Sequence, residues 1–457
     1  MDAVVNVNPQ AALSHDDELE NSLFERSKTT TWRVKSPAEK IVIMMAGNLA
    51  SRVYMAHGLS LYPLSENSKW ICFNAAQAYQ EKGIEGTFEI VNEQTKINWY
   101  RCKVDKRVMS ELTKTSDFRG FCQVIPQLTL FFVTGACAYL AYRQVHETNW
   151  MWSVPLLLAA LFVHGTFTAF MGGGAAVHEL CHKTPFRTKA WNEFFLKIFA
   201  FISWVDYVGF RASHVKHHQS TTHDDLDGEV VLPQKFDWLS IKSFWMLLVF
   251  DPLAQSRNFL NWIRAARSSA ADWKAKGEWT NRVVPESSAA LRREHRNWAR
   301  TVLFGHLALA AVFIATGYWF LIVIFTFGSI YSGWLIVACA SPQHIGLSPN
   351  VPDFRLCCRT YTCNRFLGFL YWNMQYHVEH HMFPAVPFYN LPKLRRAIQH
   401  DLPPAPNGLW ATWAELLPIL KRQKEDPSYV FIPKLPQGTG EQVGDGVLEL
   451  EAASPSG

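Results

Sequence analysis

Four long runs of apolar residues interrupt an otherwise polar chain and predict its architecture. The runs cover residues 120–142, 151–177, 299–316 and 319–340. Each approaches the ~20 apolar residues that a helix needs to cross a bilayer. Short polar links join the first run to the second and the third to the fourth, so the pattern predicts two transmembrane hairpins. Four paired runs of this length disfavour the alternative of buried helices in a large soluble protein.

The polar segments around these runs divide the chain into four parts. We predict a disordered tail, a small cytoplasmic preface, a membrane domain and a flexible C-terminal tail, over residues 1–37, 38–119, 120–425 and 426–457. In the preface, TFEIV and INWYRCKV predict a β-hairpin, and residues 104–114 predict a helix. In the membrane domain, residues 191–210 and 238–262 predict amphipathic helices on the membrane surface.

Charge and composition narrow the classes of function. The net charge of +5 comes from 44 basic and 39 acidic residues, which is too mild to predict nucleic-acid binding. Nine cysteines without a CxxC pair predict reduced thiols in a cytosolic compartment. The polar N-terminal segment predicts no secretory signal peptide. Lys and Arg concentrate outside the hairpin tips, in residues 183–300 and 355–423, which places both termini and the long loop in the cytoplasm.

The histidines provide the candidate chemistry, because most of the 17 are clustered. The sequences HELCH, HVKHH and HVEHH place them at spacings i, i+4 and i, i+3, i+4, so each cluster projects from one face of a helix. Neutral imidazole is the commonest side-chain metal ligand. The eight clustered residues are His178, His182, His214, His217, His218, His377, His380 and His381.

Chance does not explain these clusters, and the predicted topology brings them together. At this histidine frequency the pattern HxxHH is expected roughly 0.02 times in such a chain, and it occurs twice. The first cluster follows the second run, the second lies in the long loop and the third follows the fourth run. Two spans separate the second and third clusters, so all eight imidazoles can meet at one cytoplasmic membrane boundary. Eight ligands are too many for one metal ion and fit two.

Three histidine clusters in this order, around two membrane hairpins, resemble the membrane fatty acid desaturase family, which includes related hydroxylases. The segments GAAVHELCH, FRASHVKHHQSTTHDDLDGE and YWNMQYHVEHHMFPAVPFYNLPKL also look like family segments. The segment Gln343-His344-Ile345-Gly346 resembles the one that supplies an additional histidine ligand. The resemblance covers residues 105–425 approximately.

The resemblance implies an all-α membrane protein, with four transmembrane helices in two hairpins and a cytoplasmic helical cap that carries the histidine clusters. It implies two iron ions in a non-haem diiron centre, held by the eight clustered histidines and by His344 as a ninth ligand. It also implies an O2-dependent oxidoreductase that uses two external electrons to introduce a double bond. Glu179, Glu379 and Asp227 are candidates for orienting the imidazoles, and Asn373 is a weaker candidate.

Three alternatives remain open at this point. The same centre is compatible with a hydroxylase, or with another C–H oxidising enzyme acting on a lipid or a specialised metabolite. HELCH also fits the HExxH pattern of zinc metalloproteases, and Leu226-Asp227-Gly228 resembles a segment that supplies the third zinc ligand in membrane proteases. Against a protease, this LDG lies in a polar loop, and six clustered histidines would be unexplained. A membrane receptor or carrier with a metal site is the third alternative.

The expected partners follow from the resemblance and from motifs that this sequence lacks. It contains neither an HPGG haem-binding segment nor a GxGxxG fingerprint, so we expect a separate electron donor, a cytochrome b5 or a ferredoxin with its reductase. The expected substrate is a long acyl chain or a similarly lipophilic molecule that enters from the bilayer. We expect a multi-pass integral membrane protein whose active site faces the cytoplasm, in the endoplasmic reticulum membrane if the source is eukaryotic.

Overall fold

The computed structural model describes residues 97–223, 226–229, 252–267 and 278–436. The predicted N-terminal tail, most of the preface and residues 437–457 of the C-terminal tail lie outside this range. So do the TFEIV half of the predicted hairpin and the beginning of the predicted surface helix 238–262. Residues 99–457 belong to one compact unit, so the end of the predicted preface lies in the same unit as the membrane domain.

The described part of the chain is helical and contains no β-strand beyond one isolated bridge between Thr362 and Asn407. Its first eight helices are α1 Lys106–Leu112, α2 Asp117–Arg143, α3 Trp150–Ala169, α4 Ala176–Cys181, α5 Lys189–Ile202, α6 Tyr207–Ser220, α7 Pro252–Arg267 and α8 Glu278–Val283. The remaining eight are α9 Ala289–Ala315, α10 Leu321–Phe325, α11 Trp334–Ala340, α12 Phe354–Cys357, α13 Arg365–Leu370, α14 His377–Met382, α15 Leu391–Ile398 and α16 Leu409–Glu425. Single turns of 3₁₀-helix cover Ser341–Gln343, Phe388–Asn390 and Gln399–Asp401.

Helices α2, α3 and α9 are long and apolar enough to cross a membrane. The hydroxyl of Ser116 caps α2 by accepting a hydrogen bond from the Arg119 N–H, Asp117 lies in its first turn and Arg143 in its last, as the helix dipole favours. Large apolar side chains such as Phe132 and Trp150 point outward from α2 and α3 and are more than half exposed. This exposure is expected for helices whose surroundings are lipid.

The second predicted span is shorter than its apolar run. Helix α3 ends at Ala169, and residues 170–175 form turns before α4 begins at Ala176. The Gly172-Gly173-Gly174 segment explains the break, since glycine is a poor helix former. The prediction of one helix over 151–177 was therefore wrong at its end, and α4 is a separate helix that carries the first histidine cluster.

The fourth predicted span is not one continuous helix. Residues 321–325 and 334–340 are helical, whereas residues 326–333 form turns and irregular backbone. Gly328 and Gly333 weaken helix formation there, and Ser332 has a positive φ of 65°. Hydropathy alone indicates apolar surroundings, and it does not distinguish a continuous helix from two short ones.

Side chains from other parts of the chain contact backbone carbonyls of this interrupted segment, as apolar surroundings require. Trp204 Nε1–H donates to the carbonyl of Thr326 at 2.7 Å. His164 Nε2 lies 3.3 Å from the carbonyl of Ile324, and its Nδ1 lies 2.9 Å from the hydroxyl of Thr134. The buried polar residue His164 in α3 is therefore a packing residue.

The ends of the unit also differ from the predictions. Residues 97–104 form no strand, while α1 confirms the predicted helix over 104–114. The backbone N–H of Tyr100 donates instead to the carbonyl of Pro352 at 2.8 Å. Residues 426–436, the start of the predicted flexible tail, lie against the unit, and the Phe431 N–H donates to the carbonyl of Gly346 at 2.7 Å.

Candidate metal centre

Three short helical segments carry the three histidine clusters. His178 lies on α4 with His182 at its C-terminal cap, His214, His217 and His218 lie on α6, and α14 carries the third cluster, which begins at His377. The i, i+4 and i, i+3 spacings place each set on one helix face, as the sequence predicted. His344 lies outside these helices, immediately after the 3₁₀ turn Ser341–Gln343.

The structure brings all nine predicted histidines together in two adjacent groups. The ligand atoms within each group lie within 4.8 Å of one another. The five-histidine group consists of His178, His182, His214, His218 and His380. The four-histidine group consists of His217, His344, His377 and His381. Helices α6 and α14 each contribute to both groups, so the two groups form one site.

Within each group the Nε2 atoms face one another at short distances. In the five-histidine group, the Nε2 atoms of His178 and His380 are 2.9 Å apart, and the Nε2 of His214 lies 3.0 Å from those of His182 and His218. In the four-histidine group, the Nε2 of His377 lies 2.8 Å from that of His344 and 3.0 Å from that of His381.

Acceptors outside the groups fix which ring nitrogen carries the proton. His214 Nδ1–H donates to Glu229 Oε1 at 2.7 Å, and His217 Nδ1–H donates to Asp227 Oδ2 at 2.8 Å. His344 Nδ1–H donates to the carbonyl of Cys357 at 3.0 Å. In each of these neutral rings the Nε2 atom then carries the lone pair, and it points into the group.

The hydroxyl of Thr221 fixes the tautomer of a fourth histidine, His381. This hydroxyl donates to the carbonyl of His217 at 2.6 Å, so its oxygen accepts from His381 Nδ1–H at 3.0 Å. The Nε2 lone pairs of His344 and His381 therefore both face His377, whose Nε2 has at most one proton to donate. At least one buried lone pair in this group lacks a donor among the imidazoles.

A cation between the Nε2 atoms satisfies these lone pairs at once, so the residues present fit a metal ion. Ring nitrogens bound to one ion at about 2.1 Å, with bonds at right angles, lie about 3.0 Å apart, close to the 2.8–3.0 Å found here. Imidazole nitrogen suits iron, copper, zinc and nickel. The two groups therefore have the donor type and spacing for two metal ions.

The electrostatics of the site also favour neutral ligands. Burial lowers the pKa of eight of the nine histidines, and the neighbouring imidazoles contribute to most of these shifts; the pKa falls to about 4 for His182 and about 3 for His344. His217 is the exception: burial acts to lower its pKa, but the hydrogen bond and negative charge of Asp227 raise it overall. Metal binding requires neutral imidazole, which burial provides.

The three carboxylates that were predicted to orient imidazoles differ in what they contact. Asp227 contacts His217, as predicted. Glu179 is buried, burial raises its pKa to about 8, and its Oε1 lies 3.4 Å from Nδ1 of His380. The prediction for Glu379 was wrong, because this carboxylate accepts from Thr360 at 2.5 Å and pairs with Arg395 at 2.7 Å. The weaker candidate Asn373 donates to the carbonyl of Phe388 at 3.2 Å, and its Oδ1 accepts from Gln375 Nε2 at 3.4 Å.

Sequence reasoning missed three orienting contacts, those of Glu229 with His214, Thr221 with His381 and the Cys357 carbonyl with His344. Glu229 belongs to the acidic DDLDGE segment that follows the second histidine cluster. Its second carboxylate oxygen accepts from the hydroxyl of Ser213 at 2.8 Å. The nearby Asp227 accepts from the Thr222 N–H at 2.9 Å, so both acids are held in place. The acidic run after HxxHH was the available signal for Glu229.

This geometry does not suit a metalloprotease. Both histidines of HELCH belong to a group with three further histidines, and its glutamate lies beside His380. Asp227 of the LDG segment contacts the outer nitrogen of His217 rather than lying among the inward Nε2 atoms. Helices of membrane length next to two histidine groups indicate instead a membrane protein with a candidate polyhistidine metal site.

Comparison with known proteins identifies the family within this class. The model of the fatty acid desaturase family matches residues 151–413, which is more than half of the chain. The chain therefore belongs to the fatty acid desaturase family. The matched residues include all nine grouped histidines.

Two characterised relatives are similar over part of their length. A delta(6)-fatty-acid desaturase of Caenorhabditis elegans is 24% identical over 240 residues, covering 48% of this chain and 53% of the relative. A sphingolipid delta(4)-desaturase-like protein of Oryza sativa subsp. japonica is 25% identical over 288 residues, covering 59% of this chain and 75% of the relative. The match thus spans about half of the first relative and three quarters of the second, and both relatives are named as desaturases.

Proposed function

We propose that this protein is a membrane-bound diiron desaturase that introduces a double bond into a fatty acyl chain or a similar lipophilic substrate. In the balanced reaction, the substrate loses two hydrogens from adjacent carbons. O2 takes up these two hydrogens, two external electrons and two protons, and leaves as two molecules of water. The observation that carries the proposal is the meeting of nine imidazoles in two groups, with their Nε2 atoms facing inward.

The five-histidine and four-histidine groups are proposed to hold one iron ion each. Two bound ferrous ions supply the ability to activate O2 for removal of hydrogen from an unactivated C–H bond. Imidazoles are neutral donors, so nine of them place no negative charge in the site. Protonated His217 would lose its lone pair, so we propose that the charge of Asp227 is balanced by the metal rather than by a proton when the site is loaded.

The chain's own residues orient the ligands. Glu229 and Asp227 hold the outer nitrogens of His214 and His217, so both rings keep their Nε2 atoms turned inward. The carbonyl of Cys357 and the hydroxyl of Thr221 do the same for His344 and His381. Such outer contacts fix both the tautomer and the direction of a ligand.

The apolar helices support the proposed membrane setting and the lipophilic substrate. A lipid-soluble substrate is most concentrated within the bilayer, next to the spans that lead into α4. The two relatives are named for a fatty acid and a sphingolipid, and an acyl chain is common to both. By extension we propose an acyl-lipid substrate. We also propose that the active site faces the cytoplasm and that, in a eukaryote, the protein resides in the endoplasmic reticulum membrane.

A separate carrier is proposed to supply the two electrons. These 457 residues contain no HPGG haem-binding segment and no nucleotide-binding fingerprint. A cytochrome b5 or a ferredoxin, each with its reductase, carries one electron at a time, so two deliveries complete one reaction. The basic side chains of α7 and α9 are candidates for steering an acidic carrier.

Expression in a host with a complete electron-transfer chain tests this function, with lipid and metabolite profiling as the readout. We expect a product that is two hydrogens lighter than its substrate and that disappears with His217→Ala and with His380→Ala. One variant comes from each histidine group, and His400→Ala is a control outside both groups. A product that carries one added oxygen would replace the proposal by the hydroxylase alternative. The same product from the two site variants would contradict a role for the histidine groups.

A further inference from the structure

The four-histidine group depends on a ligand candidate that no regular α-helix carries. His344 lies in a loop that follows a single 3₁₀ turn, and Gly346 in the same loop has a φ of +80°. Without His344 the group would keep three histidines, whereas the five-histidine group has no member from this loop. The conformation of residues 342–346 therefore decides whether the smaller group is complete.

Arg359 donates several hydrogen bonds to the backbone carbonyls of this loop. Its Nη1 donates to the carbonyls of Pro342 and Ile345, the latter at 3.0 Å, and its backbone N–H donates to the carbonyl of Gln343 at 2.7 Å. The side chain of Arg359 is only 5% exposed, so these contacts are made away from water. Its Nε donates to Glu415 of α16 at 3.0 Å. One guanidinium thus joins carbonyls on both sides of His344 to a carboxylate on another helix.

The segment that follows α16, residues 426–436, contacts the same loop and the side chain of Arg359. The Phe431 N–H donates to the carbonyl of Gly346 at 2.7 Å, and the guanidinium carbon of Arg359 lies 6.0 Å from the centre of the Phe431 ring. Gln423 Nε2 donates to the carbonyl of Tyr429 at 2.8 Å, which ties the segment to α16. The carbonyls of the two residues before His344 and of the two residues after it thus all accept hydrogen bonds from Arg359 or Phe431.

We propose that Arg359 is a positioning residue for His344, and that Phe431 completes the clamp by covering the guanidinium. The proposal rests on the two-iron site of the proposed function, but it concerns only the iron in the four-histidine group. Removing the guanidinium leaves the carbonyls of Pro342 and Ile345 buried without their donor, which favours a rearranged loop. His344 Nε2 then moves away from His377, while the five histidines held by α4, α6 and α14 keep their places.

Iron content of the purified full-length protein tests this inference without any measurement of activity. Arg359→Met keeps the apolar stem but removes the donors, and we expect it to lower the iron content from two per chain to about one. His344→Ala should give the same loss, and the double variant should lose no more. Arg359→Lys should restore part of the second iron, because an ammonium donates to carbonyls but lacks the planar fork that also reaches Glu415.

A matched pair of variants tests the covering segment. Phe431→Ala removes the ring over Arg359, and we expect occupancy of the second iron to fall. Ile432→Ala changes the next residue, whose side chain is 57% exposed, and should retain two irons. This pair of variants also tests the proposal if Arg359→Met does not fold. Equal iron content in Phe431→Ala and Ile432→Ala would contradict the proposed roles of Phe431 and Arg359.

Mössbauer spectra of the iron-57 protein show whether one iron of the pair or the whole pair is lost. We expect the spectrum of a coupled pair to give way to that of a single ion in Arg359→Met. Two irons per chain in folded Arg359→Met would overturn the inference, and so would equal loss of both irons. A wild-type chain that holds no iron pair would instead contradict the proposed function, so the two failures are distinguishable.

Discussion

At the scale of single residues, the outward ring nitrogens determine what the inward ones can bind. Four histidines donate their Nδ1–H to acceptors outside the two groups, and each then presents a lone pair on Nε2. Two of those acceptors, Glu229 and Asp227, are carboxylates on one short segment. The metal affinity of the groups therefore depends on residues that do not themselves face the metal.

Glu229→Gln should weaken metal binding in the five-histidine group by about 10- to 100-fold, the usual effect of losing an outer carboxylate. The glutamine retains the size of the side chain but removes the charge that polarises His214. Metal loss against increasing chelator concentration measures the effect. Glu193→Gln is the matched control, because Glu193 pairs with Arg211 and Lys183. Equal chelator sensitivity in the two variants would contradict a role for Glu229.

The pKa shifts predict how pH affects the metal-free protein. Burial lowers the pKa of His182 to about 4 and that of His344 to about 3, whereas an unfolded histidine titrates near about 6.5. Below about pH 6.5 the unfolded chain therefore binds more protons than the folded chain, so stability falls as the pH falls. The eight histidines with a lowered pKa outnumber Glu179, Glu229 and His217, whose pKa values are raised and act in the opposite direction. Thermal unfolding of chelated protein should therefore show a midpoint that decreases from about pH 6.5 to about pH 5. A midpoint that rises on acidification would contradict the buried, neutral imidazoles.

The sequence predicted the histidines well because their spacing is local. All eight clustered residues lie in the two groups, and i, i+3 and i+4 positions share a helix face wherever the helix is placed. His344 has no such spacing, and its prediction came from the resemblance of its segment to that of the family. Contacts across loops have no such spacing. Glu229 reaches back 15 residues to His214, and Glu379 turns to Arg395 although it lies between two histidines of its own cluster.

At the scale of elements, the interrupted fourth segment packs closely against α3. A Cβ atom on Gly165 of α3 would lie 2.2 Å from the carbonyl oxygen of Tyr331, far inside contact distance. The hydroxyl of Thr166 lies 2.9 Å from that of Ser332, so the polar side chains of α3 also meet the irregular backbone. Glycine at 165 allows α3 to approach residue 331 this closely.

Gly165→Ala should destabilise the protein by roughly 1–3 kcal/mol, the usual range for overpacking. The added methyl group meets backbone, which cannot move aside as a flexible side chain can. Thermal unfolding in detergent measures the change. Gly333→Ala is the control, because nothing lies within 4 Å of a Cβ atom there. A Gly165→Ala midpoint equal to that of Gly333→Ala would show that α3 and residue 331 do not approach so closely.

Apolar runs predicted the existence of the helices better than their ends. The first and third runs lie within α2 and α9, which extend beyond them into polar residues. The second run continues past the end of α3 because Gly172–Gly174 and Ala175 are small and apolar without being helical. In the fourth run, residues 326–333 are apolar enough to look like part of a span, and contacts such as that of Trp204 with the carbonyl of Thr326 are not visible in the sequence.

At the scale of the whole molecule, the site joins parts of the chain that are far apart in sequence. The residues of the two groups come from 178–218 and 344–381, and α9 and the interrupted segment lie between these stretches. Each metal group takes histidines from both stretches. Bound metal therefore links the two parts of the chain and should stabilise the entire unit, since a ligand that binds only the folded state raises its stability.

Removing the metal should lower the thermal midpoint of the whole unit in one cooperative step. The nine imidazoles, seven of them buried and two half-buried, then keep lone pairs that no cation satisfies, and the two stretches lose their shared ligand. Differential scanning of loaded and chelated protein measures the shift, and readdition of ferrous iron should reverse it. A midpoint unaffected by chelation would indicate that the groups hold no metal important to the fold.

Metal analysis of the purified wild-type protein, grown with both iron and zinc supplied, tests the two-iron assignment most directly. The nine inward Nε2 atoms in groups of five and four predict two irons per chain, with the Mössbauer spectrum of a coupled pair. His217→Ala and His380→Ala, one from each group, should each reduce that content. One zinc per chain and no iron, in a folded protein, would contradict the assignment.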